Sequence, residues 1–260
     1  MFRKKMVVAL AFVLSAIMLF NSGLVVNANN HVYAPTGSDI IVDLPDHDFI
    51  SRTFTVSRFN HVIVGGNWIV TYVQAPNHAI RVEMPSCWFD NYNFNVRSRT
   101  LRVERRGFLP GLNNLARPRI YVYAPSLESV NLSGFAVAKN WSPVTGRNFT
   151  INISGAAEAD LNLQIDRTLT VNASGTSQLT MSGATRDLRI NAAGVVNISA
   201  FELQAREARP VNVTGIGTVE ISVSDRLNVQ AAGTARVYYK GNPRVTQRVA
   251  GGARVINVVN

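Results

Sequence analysis

The sequence has one cysteine, Cys87, in 260 residues. An internal disulfide is excluded, so stability has to come from packing and backbone hydrogen bonds. Cys87 itself is expected to act as a small buried hydrophobe. Aromatic residues are scarce in the second half: three from residue 151 onward (Phe201, Tyr238 and Tyr239) against sixteen between 31 and 150. Lysine almost disappears after the first residues, leaving Lys139 and Lys240. No window from 127 onward carries a helical stripe, which leaves strands. HExxH, paired Cys-x-x-Cys, P-loop and nucleophile-elbow patterns are all missing. No catalytic residue, metal or cofactor is therefore expected.

One long apolar run is present, residues 6–20, preceded by Arg3, Lys4 and Lys5 and followed by Val26-Asn27-Ala28. A basic start, an apolar core and a small-x-small site read as a secretory signal peptide over 1–28. The run falls short of the roughly 20 apolar residues a spanning helix needs. With no cysteine near the cleavage region, a lipid-anchored form is not expected. Lysine plus arginine exceed acids by 26 to 16; without the three basic leader residues the excess is 23 to 16, or +7. A positive exported protein meets polyanions such as lipopolysaccharide or acidic glycans. Nucleic acid is not expected as a partner.

The rest of the chain aligns on one glycine. LESVNLSG ends at Gly134, FTINISG at Gly155, LTVNASG at Gly175 and LRINAAG at Gly194. PVNVTG ends at Gly215, LNVQAAG at Gly233 and VTQRVAG at Gly251. The steps are 21, 20, 19, 21, 18 and 18 residues. Seven copies at this period indicate a stacked repeat architecture. Four residues before the glycine stand Val130, Ile151, Val171, Ile190, Val211 and Val229. Two before it stand Leu132, Ile153, Ala173, Ala192, Val213, Ala231 and Val249. Apolar residues at alternate positions mean strand. Each repeat is expected to hold two short strands about a glycine turn. The fold class expected is all-β: a right-handed parallel β-helix of seven coils of about 18–21 residues.

Three residues before the glycine stand Asn131, Asn152, Asn172, Asn191 and Asn212, then Gln230 and Arg248. Stacked parallel strands let such amides bond along the pile as a structural ladder. Four of the asparagines also sit in N-x-Ser/Thr sequons, but the ladder explains the asparagine and the turn explains the following Ser or Thr.

These serial "SG" turns resemble the auto-transporter adhesin, head GIN domain family of exported bacterial proteins. FTVSRFNHVIVGGNWIVTYVQ is similar to its front end, with the Gly66-Asn67 turn and Gln74. RPRIYVYAPSLESVNLSG is similar to its entry to the repeats, and YYKGNPRV, with Tyr239, Gly241 and Pro243, to its near-terminal motif. The likeness spans about residues 53–258. It implies a β-helical fold, a periplasmic or surface location and no catalytic residues. Several copies here read AAG, VAG or TGIG, which keeps the turn and removes hydroxyls.

The aromatic-rich front half reads as a lead-in over 29–49 and an N-terminal β module over 50–119 that caps the β-helix of 120–260. The apolar end, ARVINVVN, offers an edge at which a second subunit could pair, making a homo-oligomer. Asp39, Asp43, Asp46, His47 and Asp48 form the only acidic cluster, read as a solvated strand lead-in and not as a metal site. Arginines recur at turns, Arg147, Arg167, Arg186, Arg206, Arg226 and Arg244, four of them with an acid next door. They are read as an exposed ion-pair ladder. The remaining basic cluster is Arg97, Arg99, Arg102, Arg105 and Arg106, followed by Phe108 in an apolar loop over 107–118. It is the candidate binding patch.

The expected function is a non-enzymatic, exported adhesin or envelope protein whose partner is an envelope or cell-surface component, glycan or protein. A polyanion-binding module is the alternative. A carbohydrate-active enzyme on a β-helix is the third reading, and it needs a carboxylate cluster that the scattered acids do not supply.

Overall fold

The computed structural model describes residues 49–106 and 117–258, together with the backbone of two short strands, β1 (Val25–Val26) and β2 (Val32–Tyr33). The leader apart from β1, the acidic cluster at 39–48 and most of the 107–118 loop lie outside the described residues. What is described is all-β. Its one helix is a 3-10 segment, Ser86–Asn91.

Fourteen strands form one sheet that does not close into a barrel. The front strands are β3 (Phe49–Thr55), β4 (His61–Gly66), β5 (Ile69–Gln74), β6 (Ala79–Pro85), β7 (Tyr92–Arg97), β8 (Thr100–Arg105) and β9 (Arg119–Ala124). Then come β10 (Ser129–Gly134), β11 (Val137–Ala138), β12 (Val144–Ile153), β13 (Glu158–Gly233), β14 (Arg236–Lys240), β15 (Arg244–Gly251) and β16 (Arg254–Asn257). Separate strands flank the expected glycine turns at Gly134, Gly155, Gly233 and Gly251, but not those at Gly175, Gly194 and Gly215. In β13 ladder bonding continues through 76 residues, because glycine at left-handed φ bends the chain while its neighbours keep their ladder bonds.

Parallel pairing joins each repeat to the next. Asn131 lies beside Asn152, and Asn152 beside Asn172. Gln230 lies beside Arg248, and Val237 beside Val255. The front half enters the same ladder: β4 pairs β10 with Val62 beside Val130, and β5 pairs β11 with Ile69 beside Val137. β8 then continues in parallel beyond β4, and β9 beyond β5. Past them the pairing turns antiparallel, with β7 on β8, and β6 and then β3 on β9. β3 and β7 are therefore the front edges of the sheet.

The core follows the apolar columns. Val130, Ile151, Val171, Ile190, Val211 and Val229 are all fully buried. The column two residues on, from Leu132 to Ala231, is buried as well. At the front the core widens to take Trp68, Tyr72, Phe59 and Trp141. Trp68 meets Tyr92 and Phe94 edge-on, and the Trp141 indole N–H donates to the Val70 carbonyl at 2.8 Å. Cys87 corrects an expectation, since it is exposed. It lies in the 3-10 segment, where Trp88 and Phe89 take the inward positions.

The glycine column sets how closely repeats approach. Gly175 has φ +80°, and a Cβ there would stand 2.7 Å from the Gly155 carbonyl oxygen. Gly146 has open space around it. Gly175→Ala should therefore cost about 2–4 kcal/mol in urea unfolding, from left-handed strain plus the clash. Gly146→Ala should stay within about 0.5 kcal/mol of the parent. Equal effects would contradict this packing.

Candidate binding face

Outward positions of the ladder form rows that cross the strands. One row runs Asn95, Arg102, Ile63, Asn131, Asn152, Asn172 through successive pairings. It continues to Asn191 and Asn212 through side-chain bonds. Asn172 Nδ2 donates to Asn152 Oδ1 at 2.8 Å, Asn191 to Asn172 at 2.9 Å and Asn212 to Asn191 at 2.9 Å. Asn152 donates in the same sense to Asn131. Parallel strands stack at roughly 4.8 Å, a spacing at which identical amides can bond in line. The Nδ2 nitrogens of the sequon asparagines 152, 172 and 212 are thus engaged within the ladder.

An asparagine amide has two N–H donors and two acceptor lone pairs. The ladder uses one of each at an interior rung, so one donor and one acceptor per rung remain for a ligand. Beside the amides runs a second column, Ser133, Ser154, Ser174, Ala193 and Thr214. Together the two columns line a shallow groove of about 540 Å³. Among the described residues its lining holds no carboxylate and no charged side chain.

The arginine cluster is divided by the β7–β8 hairpin. Arg97 and Arg102 stand on the same side as the amide row, opposite Thr100 and Asn95. Arg105 pairs with Tyr92 on the other side. Burial raises the Tyr92 phenol above its ordinary pKa, and the Arg105 charge partly offsets this. Arg99 occupies the hairpin turn, where Ser98 and Arg99 both have left-handed φ, 49° and 59°. Its guanidinium pairs with Glu128 at 3.6 Å. Arg106 is exposed, and its backbone N–H donates to Asn91 O at 2.6 Å. Phe108 lies outside the described residues. Arg97 and Arg102 therefore share a face with the groove, and Arg105 does not.

Two arrangements escaped the sequence. His61 Nδ1 lies 2.8 Å from Ser129 Oγ, and its Nε2 lies 3.9 Å from Glu128. These residues are 67 and 68 positions apart and carry no motif. At 3.9 Å the carboxylate is beyond hydrogen-bonding reach of the ring, so the trio lacks the relay geometry of a nucleophile, base and acid. It borders a second hollow of about 700 Å³ with Arg147 and Asn148. The turn ion pairs match expectation in part. Arg226 keeps its neighbour Asp225 at 3.9 Å, and further pairs cross between repeats, Arg206 to Asp225 at 3.5 Å and Arg226 to Glu207. Glu207, which also meets Arg209, is buried at 4% exposure. Carboxylates one repeat away lie at stacking distance, which brings them within reach of the arginine heads. Among the described residues no group of three His, Cys, Asp or Glu side chains is placed to hold a metal, and no helix is long and apolar enough to cross a membrane.

Breaking the amide row has a predicted signature. Asn152→Ala and Asn172→Ala should each cost about 1–2 kcal/mol in urea unfolding. The double variant should cost less than the sum by about 1 kcal/mol, because both singles remove the same shared bond. Strict additivity would show that the bond is energetically silent.

The sequence profile of the family described as "Putative auto-transporter adhesin, head GIN domain" matches residues 58–243. No curated protein matches the chain. Among solved structures, a "putative adhesin" from Bacteroides fragilis aligns with TM-score 0.73 at 19% identity, covering 83% of this chain and 97% of that one. A "putative adhesin" from Parabacteroides merdae aligns with TM-score 0.66 at 22% identity, covering 82% and 97%. A "Putative lipid binding protein" from Parabacteroides distasonis aligns with TM-score 0.64 at 20% identity, covering 82% and 98%. At these identities the likeness is one of fold. The profile match spans most of the sequence, and the chain belongs to the auto-transporter adhesin, head GIN domain family.

Proposed function

We propose that the chain is an exported, non-enzymatic adhesin that works in the periplasm or at the cell surface and grips a glycan chain along its amide face. In this reading the repeats of 120–260 wind as a right-handed parallel β-helix, and the strands of 50–119 cap it. The parallel register, shifted once by a bulge between Gly146 and Asn148, and the antiparallel strands at the front edge support that architecture. Membership of the adhesin family supports the role. The observation that carries the ligand class is the amide row with its hydroxyl column in an open groove. A sugar polymer offers hydroxyls at a short regular repeat. The face offers one free donor and one free acceptor per rung at a comparable repeat, which suits such a chain. A lining without carboxylates suits binding, since glycoside cleavage needs paired acids.

An acidic glycan is the second reading. Arg97 and Arg102 extend the same face beyond Ile63 and would meet its charges. The experiment is retention of the mature protein on immobilised envelope and mucosal polysaccharides. Ser174→Trp fills the groove from an exposed position and should lower retention by about tenfold or more with an unchanged melting temperature. Undiminished retention by that variant overturns the amide-face reading. Retention that falls steeply with salt and with Arg102→Glu assigns the acidic class.

A further inference from the structure

The far end of the sheet is unfinished. Among the described residues β15 pairs with β13 on one side only, and its other edge carries no strand. Val245, Gln247 and Val249 occupy the inward columns, yet all three are exposed. Their counterparts one repeat earlier, Leu227, Val229 and Ala231, are buried. This end is also uniformly basic. From residue 227 onward the sequence carries Arg236, Lys240, Arg244, Arg248 and Arg254 and no acid. An open edge with apolar inward positions and a cationic outward row calls for one more strand, apolar on alternate positions and acidic between them.

The chain contains such a segment. Residues 39–44 read Asp-Ile-Ile-Val-Asp-Leu, followed by Pro45, which cannot continue a central ladder. Laid parallel on β15, Asp39 falls beside Arg244 and Asp43 beside Arg248. In the same register Ile40, Val42 and Leu44 fall over Val245, Gln247 and Val249. Both acids and all three apolar residues match at once, and a shift by one residue destroys every match.

The segment cannot reach its own β15. Leu44 is five residues from Phe49, where β3 begins at the front edge, and five residues span at most roughly 17 Å. From β4 to β15 there are seven strand spacings through Asn131, Asn152, Asn172, Asn191, Asn212, Gln230 and Arg248, roughly 34 Å, and β3 lies beyond that front end. We propose that the chain self-assembles head to tail, residues 39–44 of a second copy adding to β15 as the next parallel strand. The contact is heterologous and leaves a fresh edge on each added copy, so it builds chains and not a closed dimer. This inference is independent of the glycan reading.

The test is sedimentation velocity of the mature chain, residues 29–260, over rising concentration. The wild type should form concentration-dependent chains. Asp39→Arg with Asp43→Arg should weaken assembly by about tenfold or more, as should Arg244→Asp with Arg248→Asp. Mixing the two doubly reversed proteins should restore it, because each supplies the edge or the segment that the other needs. A synthetic peptide of residues 37–46 should shorten wild-type chains. A wild type that stays monomeric throughout, assembly indifferent to both reversals, or a mixture that fails to restore it would overturn the proposal.

Discussion

The close approach of one glycine to the next governs this structure. At Gly134, Gly155, Gly175, Gly194, Gly215 and Gly233 the backbone adopts left-handed φ. In each case a Cβ would run into the backbone of the glycine beside it in the ladder, Gly66 for Gly134 and the preceding repeat's glycine for the others, mostly its carbonyl oxygen. That contact holds the turn directly over the turn below. With the turns in register, the strands before and after them are in register too. Apolar columns then fall on apolar columns, and asparagine falls on asparagine. A slip of one residue would turn every valine of the core outward.

From that single constraint two surfaces follow. Inside is a narrow core that small residues such as Ala173, Ala192 and Ala231 can fill. Outside is a regular polar face whose chemistry repeats once per rung. The amides bond to one another and so lie flat and ordered, with part of their capacity left over. Preorganised groups lose little conformational freedom on meeting a ligand. Long turns would disturb this order. The chain keeps them short and ties them with ion pairs between neighbouring repeats, Glu207 with Arg226 and Asp225 with Arg206.

Much of this was legible in the sequence because a repeat states its own register. Aligning seven glycines names the inward columns, and those residues are buried in every repeat before the last, where Val249 is exposed. The asparagine column is visible in the same alignment, and the hydrogen-bonded row runs along it. The front half was harder, since its strands carry no repeat. Nothing in VIVGG near residue 64 announces that it lies beside VNLSG near 132, and the His61–Ser129 contact depends on that pairing. Cys87 was misread because a short 3-10 segment replaces a strand, and alternation fails there. The division of the arginine cluster was hidden by hairpin geometry. Arginines within ten residues look like one patch until strand parity sends Arg102 to one face and Arg105 to the other.

Cysteine pairing reads the stacking of equivalent positions directly. In a Cys87→Ser background, Ser154→Cys with Ser174→Cys places two thiols on adjacent rungs of one column. Their Cα atoms should stand about 4.8 Å apart, within disulfide range. Ser154→Cys with Asn172→Cys displaces one partner by two residues, to a diagonal of roughly 7–8 Å. Mild oxidation followed by peptide mass spectrometry should find the first pair linked and the second free. A link in the displaced pair without one in the first would contradict the register on which every other conclusion rests.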